Sequence, residues 1–424
     1  MSTDLENKKI SPFEMFAFFL SKIDIKVVFA IIILTGCLFY HVIPESSIGS
    51  AGIFSLSENI ILLITLLGYI LSFLLFFYFV DYFIKNGFVL TLNPVIMAIL
   101  AYFAAAIASI LINGGSYMSQ GFSDLRSTLE RFSVFYAMFY VLKQKDHLFI
   151  VKCIIVFLGV NCVISYADII LDFGDRSGLF VDQNKYGKLL VVAHAFFFIH
   201  FFTSKSQLRK IIIFLILAII FVNVLMISSR GTYVLYFFAT AIIIWQTKSI
   251  KIITLGILAM LFVGALFGYM TMRKITERKM DIVNNSDIGR ISTNITGLRM
   301  WREHPVIGIG YATSRYRYKE FEDKNAIAFL GMYTIHNIYV AQLAETGIIG
   351  FLLFGLFNGI LIMKLITRYK SNGKLYKDKY SLFYISAIVT YLLHGLVYHT
   401  FEYEGYYWFI LAAALLYLKE DDKK

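Results

Sequence analysis

The sequence predicts an all-α integral membrane protein of about 12 transmembrane helices, arranged as one domain over residues 1–424. Three observations predict this class. The chain is 58% hydrophobic and 16% charged, with a mean hydropathy of +0.71, far from an ordinary soluble protein. Apolar runs of bilayer-spanning length recur from one end to the other. The 4 prolines are too few to interrupt long helices.

The elements follow in order. The polar start through Lys8 and Lys9 shows no cleavable signal pattern, so residues 1–26 read as a cytoplasmic tail and the first apolar run as a retained span. Spans are predicted at 27–43, 59–84, 93–112, 129–142, 148–171, 186–203, 210–228, 231–247, 251–271, 337–366, 380–398 and 404–419. The stretch 129–142 is short and has Glu130 and Arg131 at its start. Residues 420–424 form a second tail. Cys37, Cys153 and Cys162 lie in apolar runs with neither metal spacing nor a disulfide framework.

Basic residues cluster on alternate connections. Lys22 and Lys26 precede the first span, and Lys85 follows the second. Lys143 and Lys145 follow the fourth, and Lys205, Arg209 and Lys210 the sixth. Lys248 and Lys251 follow the eighth, and Lys364, Arg368, Lys370, Lys374, Lys377 and Lys379 surround the end of the tenth. The positive-inside rule then puts both termini in the cytoplasm. The net charge of +11 is accounted for by topology rather than by nucleic-acid binding.

The other loops face outward: Arg126, Asp175–Arg176, Ser229–Arg230, a long periplasmic loop at 272–335, and His399–Glu404. A loop of that length is expected to be functional. Its arginines alternate with Trp301, Tyr311, Tyr316, Tyr318, Phe321 and Phe329, which suits either the membrane surface or stacking on sugar rings.

Arg230 stands between two apolar runs on the side where basic residues are disfavoured. It either snorkels to the interface or presents a fixed guanidinium to phosphate. Arg299 and Arg302 are spaced to share a helix face; Gly297 starts that helix and His304–Pro305 ends it. The bland reading is an amphipathic surface helix, the functional one a second phosphate clamp. His336 and Asn337 stand at the outer mouth of the tenth span, and histidine accepts a proton near neutral pH. Glu345 lies within that span and needs a partner, while Gly347 and Gly350 permit close packing or a break. His394 and His399 are weaker candidates of the same kind. The outer face has no Asp-x-Asp pair or clustered His/Glu ligands, so neither a metal nor another cofactor is expected. With no soluble cytoplasmic domain for a nucleotide sugar, a donor carried by lipid fits better.

At these residues the chain resembles the O-antigen ligase and polymerase superfamily of bacterial surface-glycan assembly. The resemblance rests on Ser229-Arg230-Gly231, on Gly297-Leu298-Arg299 through Trp301 to His304-Pro305-Val306-Ile307-Gly308-Ile309-Gly310, and on His336-Asn337 through Glu345-Thr346-Gly347. Gly178 through Asp182-Gln183-Asn184-Lys185-Tyr186-Gly187 resembles a shared outer-loop motif. Residues before about 170 match only in being multispan.

The resemblance implies a glycosyltransferase-C-like bundle and a metal-independent, inverting transfer from a glycan on undecaprenyl diphosphate, in the bacterial inner membrane with the site on the periplasmic face. Arg230 and Arg299 fall at diphosphate-binding positions and His336 at the base. Arg176, Arg302, His304, Asn337 and Glu345 are supporting candidates. The acceptor is a lipid-linked repeat unit for a polymerase, or lipid A–core for a ligase. The Asp182-Gln183-Asn184-Lys185-Tyr186 form resembles polymerases more. The partners implied are these glycans, membrane lipid and a chain-length regulator. A lipid-linked glycan transporter or flippase is the alternative of another class, though it is expected to show paired halves, and none stand out.

Overall fold

The computed structural model describes residues 25–42, 93–170, 183–227, 229–246, 254, 281–322, 334–372, 378–396, 398 and 405–419. The regular elements among them are helical. In chain order they are α1 (Ile25–Val42), α2 (Pro94–Asn113), α3 (Met118–Val141), α4 (His147–Ile170), α5 (Gln183–Thr203) and α6 (Gln207–Ile227). Then come α7 (Arg230–Gln246), α8 (Asp281–Glu303), α9 (Ser314–Phe321), α10 (Ile338–Asn372), α11 (Lys379–His394) and α12 (Gly405–Leu418).

Among the described residues, 5 helices are long and apolar enough to cross a membrane: Pro94–Asn113, Gln144–Ala167, Asn184–Thr203, Gln207–Ile227 and Ile338–Ser371. Gly231–Gln246 and Gly405–Leu418 are shorter apolar helices. The spans expected at 59–84 and 251–271 lie outside the described residues, as do Asp175–Arg176 and His399–Glu404.

Two elements differ from the sequence reading. The expected span 129–142 belongs to a helix that already starts at Met118, so Arg126 is helical rather than in a loop. Apolar content begins only past Arg131, but charge does not stop a helix whose charges are satisfied. Arg126 pairs with Glu130 at 3.5 Å one turn on, and Asp124 pairs with Arg315 at 3.0 Å. The expected loop 272–335 holds α8 and α9 and is largely helical where described. α8 starts at Asp281 rather than Gly297, and ends at Glu303 ahead of Pro305 as the proline requires. Gly297 sits inside it because Val340 and Ile335 approach too closely for a side chain, within 2.8 Å of where a Cβ would stand.

The core is organised around α12. Every residue from Gly405 to Tyr417 is buried, with Trp408 at 0% exposure. A helix apolar on all faces has to be central, and α1, α3, α4, α10 and α11 surround it. α6 is the opposite case. Leu208, Ile211, Phe214, Leu215, Ile219 and Val222 point outward from it, an apolar face suited to lipid.

Side-chain bonds define the two ends of the bundle. At one end Lys26 pairs with Asp146 at 2.7 Å, Gln144 donates to the Tyr417 carbonyl, Tyr417 to Asp378, and Tyr369 to Gln246. Lys143, Lys145, Arg368 and Lys379 belong to this end, so the basic connections of α3–α4 and α10–α11 do converge. At the other end Asn113 donates to the Gly308 carbonyl, Ser229 to Asn184, and the Ile338 N–H to the Gly395 carbonyl at 2.8 Å. The candidate residues sit here.

Candidate functional site

α10 is broken at Gly347, where φ is 65° and ψ −166°. A break inside a spanning helix exposes backbone groups that lipid cannot satisfy. The turn after α8 satisfies them. Ile309 N–H donates to Ala344 O at 2.9 Å and Gly310 N–H to Glu345 O at 3.2 Å, while Ile348 N–H reaches Pro305 O at 2.9 Å and Ile349 N–H reaches Val306 O at 3.3 Å. Proline, two glycines and a third across the joint are therefore one device. Gly308 (φ 78°) and Gly310 (φ 118°) adopt backbone conformations that side chains resist.

Glu345 belongs to this joint. Its Oε1 accepts from Ser314 Oγ at 2.5 Å and its carboxylate also takes the Ala312 N–H. Its backbone oxygen additionally receives Ser109 Oγ. The partner that the sequence reading could not name is thus the start of α9. His304 caps α8: its N–H donates to Met300 O, its carbonyl receives Gly308 N–H, and its ring stands edge-on to Phe321. Trp301 Nε1 donates to Pro305 O at 3.2 Å, closing the same turn. Asn337 caps α10, its Oδ1 accepting from Tyr339 N–H at 2.9 Å and Val340 N–H at 3.3 Å.

His336 precedes that cap. Its ring lies 6.3 Å from Tyr398, which in turn lies 5.2 Å from His394. Burial first, and then the Arg290 charge, push His336 down to about 4. At neutral pH it is an uncharged imidazole, able to accept a proton.

Sequence reading did not single out Arg290, whose charge acts on His336. Among the described residues, the Arg290 Nε and the Asn294 Oδ1 are buried without a hydrogen-bond partner. They lie four apart on one face of α8, the face Gly297 turns to Ile335 and Val340. Arg299 is nine positions beyond Arg290, roughly half a turn round the helix, on the side where Ser292 and Thr296 meet Tyr318 of α9. Arg302 is exposed. Arg290 is close enough for its charge to act on His336.

Arg230 is the first residue of α7; its side chain and all of Arg176 lie outside the described residues. The neighbouring backbone is well anchored. Ser229 Oγ donates to Asn184 Oδ1 at 2.7 Å, and the Thr232 N–H donates to Ser229 Oγ. Gly187 lies so close to Thr232 that a Cβ would stand 2.0 Å from its Oγ1. The Asn184–Gly187 motif thus exists to seat the start of α7 against α5. The other arginines of this end are engaged: Arg315 with Asp124, and Arg317 with the Asn113 and Ile309 carbonyls at 2.9 and 2.8 Å.

Among the described residues no three His, Cys, Asp or Glu side chains gather closely enough to hold a metal ion. The arrangement suits anion binding beside a neutral base. Residues 214–355 match the family model Wzy_C, O-Antigen ligase. No curated protein matches the chain. The matched region runs from α6 to past the break in α10, taking in Arg230, Arg290, His336 and the Gly347 joint, and it supports the O-antigen ligase/polymerase superfamily.

Proposed function

We propose that this member of the O-antigen ligase/polymerase superfamily is an inverting, metal-independent glycosyltransferase. It takes a glycan from undecaprenyl diphosphate on the periplasmic face of the inner membrane, and His336 is its base. The observation that carries the reading is a buried His336 just ahead of α10, its ring beside Tyr398 and within range of the Arg290 charge, inside the region that matches the family model.

The chemistry follows from charge. As the acceptor hydroxyl attacks the anomeric carbon, its proton passes to the His336 imidazole. The new C–O bond forms as the bond to phosphate breaks, and undecaprenyl diphosphate departs with the electron pair. Negative charge grows on the leaving group, where prepositioned guanidiniums are worth most. Arg230 and Arg290 supply them in this reading, with Arg299 as the sequence-derived alternative to Arg290. A free histidine near 4 is a weak base. A bound diphosphate offsets the Arg290 charge and adds negative charge, raising His336 when the donor is in place.

The acceptor that fits best is a second lipid-linked repeat unit, making the protein a polymerase; the Asp182–Tyr186 sequence supports that reading over the ligase. The test is the surface glycan of a strain lacking this gene. A single repeat attached to core supports the polymerase, and bare core with accumulated lipid-linked polymer supports the ligase. Normal glycan from a His336→Ala strain would defeat both, and lipid-linked units retained on the cytoplasmic side would favour a flippase.

A further inference from the structure

Lys188 is 2% exposed, on a helix that the site already uses. It lies four positions after Asn184, so the two share a face of α5. That is the face on which Asn184 receives Ser229 and Gly187 meets Thr232, next to the start of α7 at Arg230. From there the ammonium enters a cage of rings. Nζ stands 5.0 Å from the Tyr398 centroid, 5.1 Å from Tyr391 and 5.9 Å from Tyr406.

Tyr398 is common to the cage and the site, since its other ring neighbours are His336 and His394. Lys188 therefore lies between the residues that seat Arg230 and the imidazole. The cage adjoins a small, mostly apolar recess lined by Lys188, Val192, Tyr391, Tyr406, Tyr407 and Ile410.

An ammonium is retained in a buried position only where its surroundings favour positive charge, and electron-rich ring faces do so. A ring face is nevertheless a weaker partner than a phosphate oxygen. The flexible lysine stem lets Nζ turn from ring to oxygen without moving the helix. A compact point charge of this kind suits phosphate, and its place suits the leaving-group side of the reaction.

We propose that Lys188 is a third cation of the donor site, binding a phosphate oxygen of the lipid-linked diphosphate from its tyrosine cage beside His336. The inference rests on the reading given under Proposed function and adds to it a residue outside the arginine and histidine set.

The experiment measures binding of undecaprenyl diphosphate and undecaprenyl monophosphate to the full-length protein in nanodiscs, with thermal melting as the check on folding. Lys188→Met is expected to weaken diphosphate binding by about tenfold or more, with a smaller effect on monophosphate, while Lys188→Arg keeps most of the affinity. Lys188→Gln serves as a second neutral variant if Lys188→Met does not fold. A folded neutral variant that binds diphosphate as tightly as the parent overturns the inference and leaves the proposed function standing. A parent protein that binds no undecaprenyl diphosphate overturns both.

Discussion

Gly347 and Val306 meet backbone to backbone: a Cβ on Gly347 would stand 2.3 Å from the Val306 carbonyl oxygen. The contact is possible because Gly347 adopts φ 65°, a region that other residues enter at a cost. It joins the turn after α8 to the break in α10.

Gly347→Ala is therefore expected to destabilise the protein by about 2–4 kcal/mol, from strain and overlap together. Melting of the purified protein in detergent checks this. Gly359→Ala is the control, since its Cβ meets nothing within 4 Å on a regular stretch of α10. Helix propensity alone predicts that it stabilises by about 0.5–1 kcal/mol.

Arginine substitutions separate two faces of α8. Arg290→Ala is expected to reduce kcat/KM by about 10²-fold, the scale of losing one preorganised charge partner in a transition state. Arg299→Ala, on the opposite side of the helix, is expected to cost far less. Turnover of a lipid-linked donor by the two variants measures the difference, and equal losses would remove the preference for Arg290.

The pH profile tests His336 separately. In the proposed mechanism the base is the neutral imidazole, so the rate is expected to fall as pH drops through the histidine's own value. In the free protein that value is about 4, so kcat/KM holds level down through pH 6.5, the ordinary histidine value, and declines only near 4. Donor binding raises the histidine, so the acid limb of kcat appears at higher pH than that of kcat/KM. Coincident limbs near 6.5 would show that burial and Arg290 do not govern the base.

Glu345 offers a test of organisation rather than chemistry. Glu345→Gln retains an acceptor for Ser314 and the Ala312 N–H, whereas Glu345→Ala leaves both without one. The alanine variant is expected to lose about 1–3 kcal/mol of stability, the glutamine variant less. If melting temperatures fall equally, the hydrogen bonds to the side chain are not what holds α9.

Much of this arrangement was legible from residue type. Pro305 announced the end of α8, and of the two alternatives that Gly347 and Gly350 left open, close packing or a break, the break falls at Gly347. The basic connections foretold that Lys143 and Lys379 would share one end. Two things were not legible. Hydropathy starts α3 too late, because its first turns from Met118 carry exposed polar residues such as Arg126 and Glu130, which a helix accommodates but an apolar-run criterion leaves out. Arg299 was singled out because the Gly297–Gly310 stretch resembles the family motif, and nothing comparable in the sequence pointed to Arg290. The preference for Arg290 arises from which face of a longer helix meets Ile335 and Val340, a tertiary fact with no local signature.

The joint at Gly347 also limits how such a protein can be redesigned. Residues 305–310 and 344–349 complete one another's backbone through four hydrogen bonds, so neither can be exchanged alone. A chimera that imports the turn after α8 from a relative has to import the break in α10 with it. Changes of acceptor are better sought in segments outside this paired wall, where sequence can vary without leaving peptide groups facing lipid.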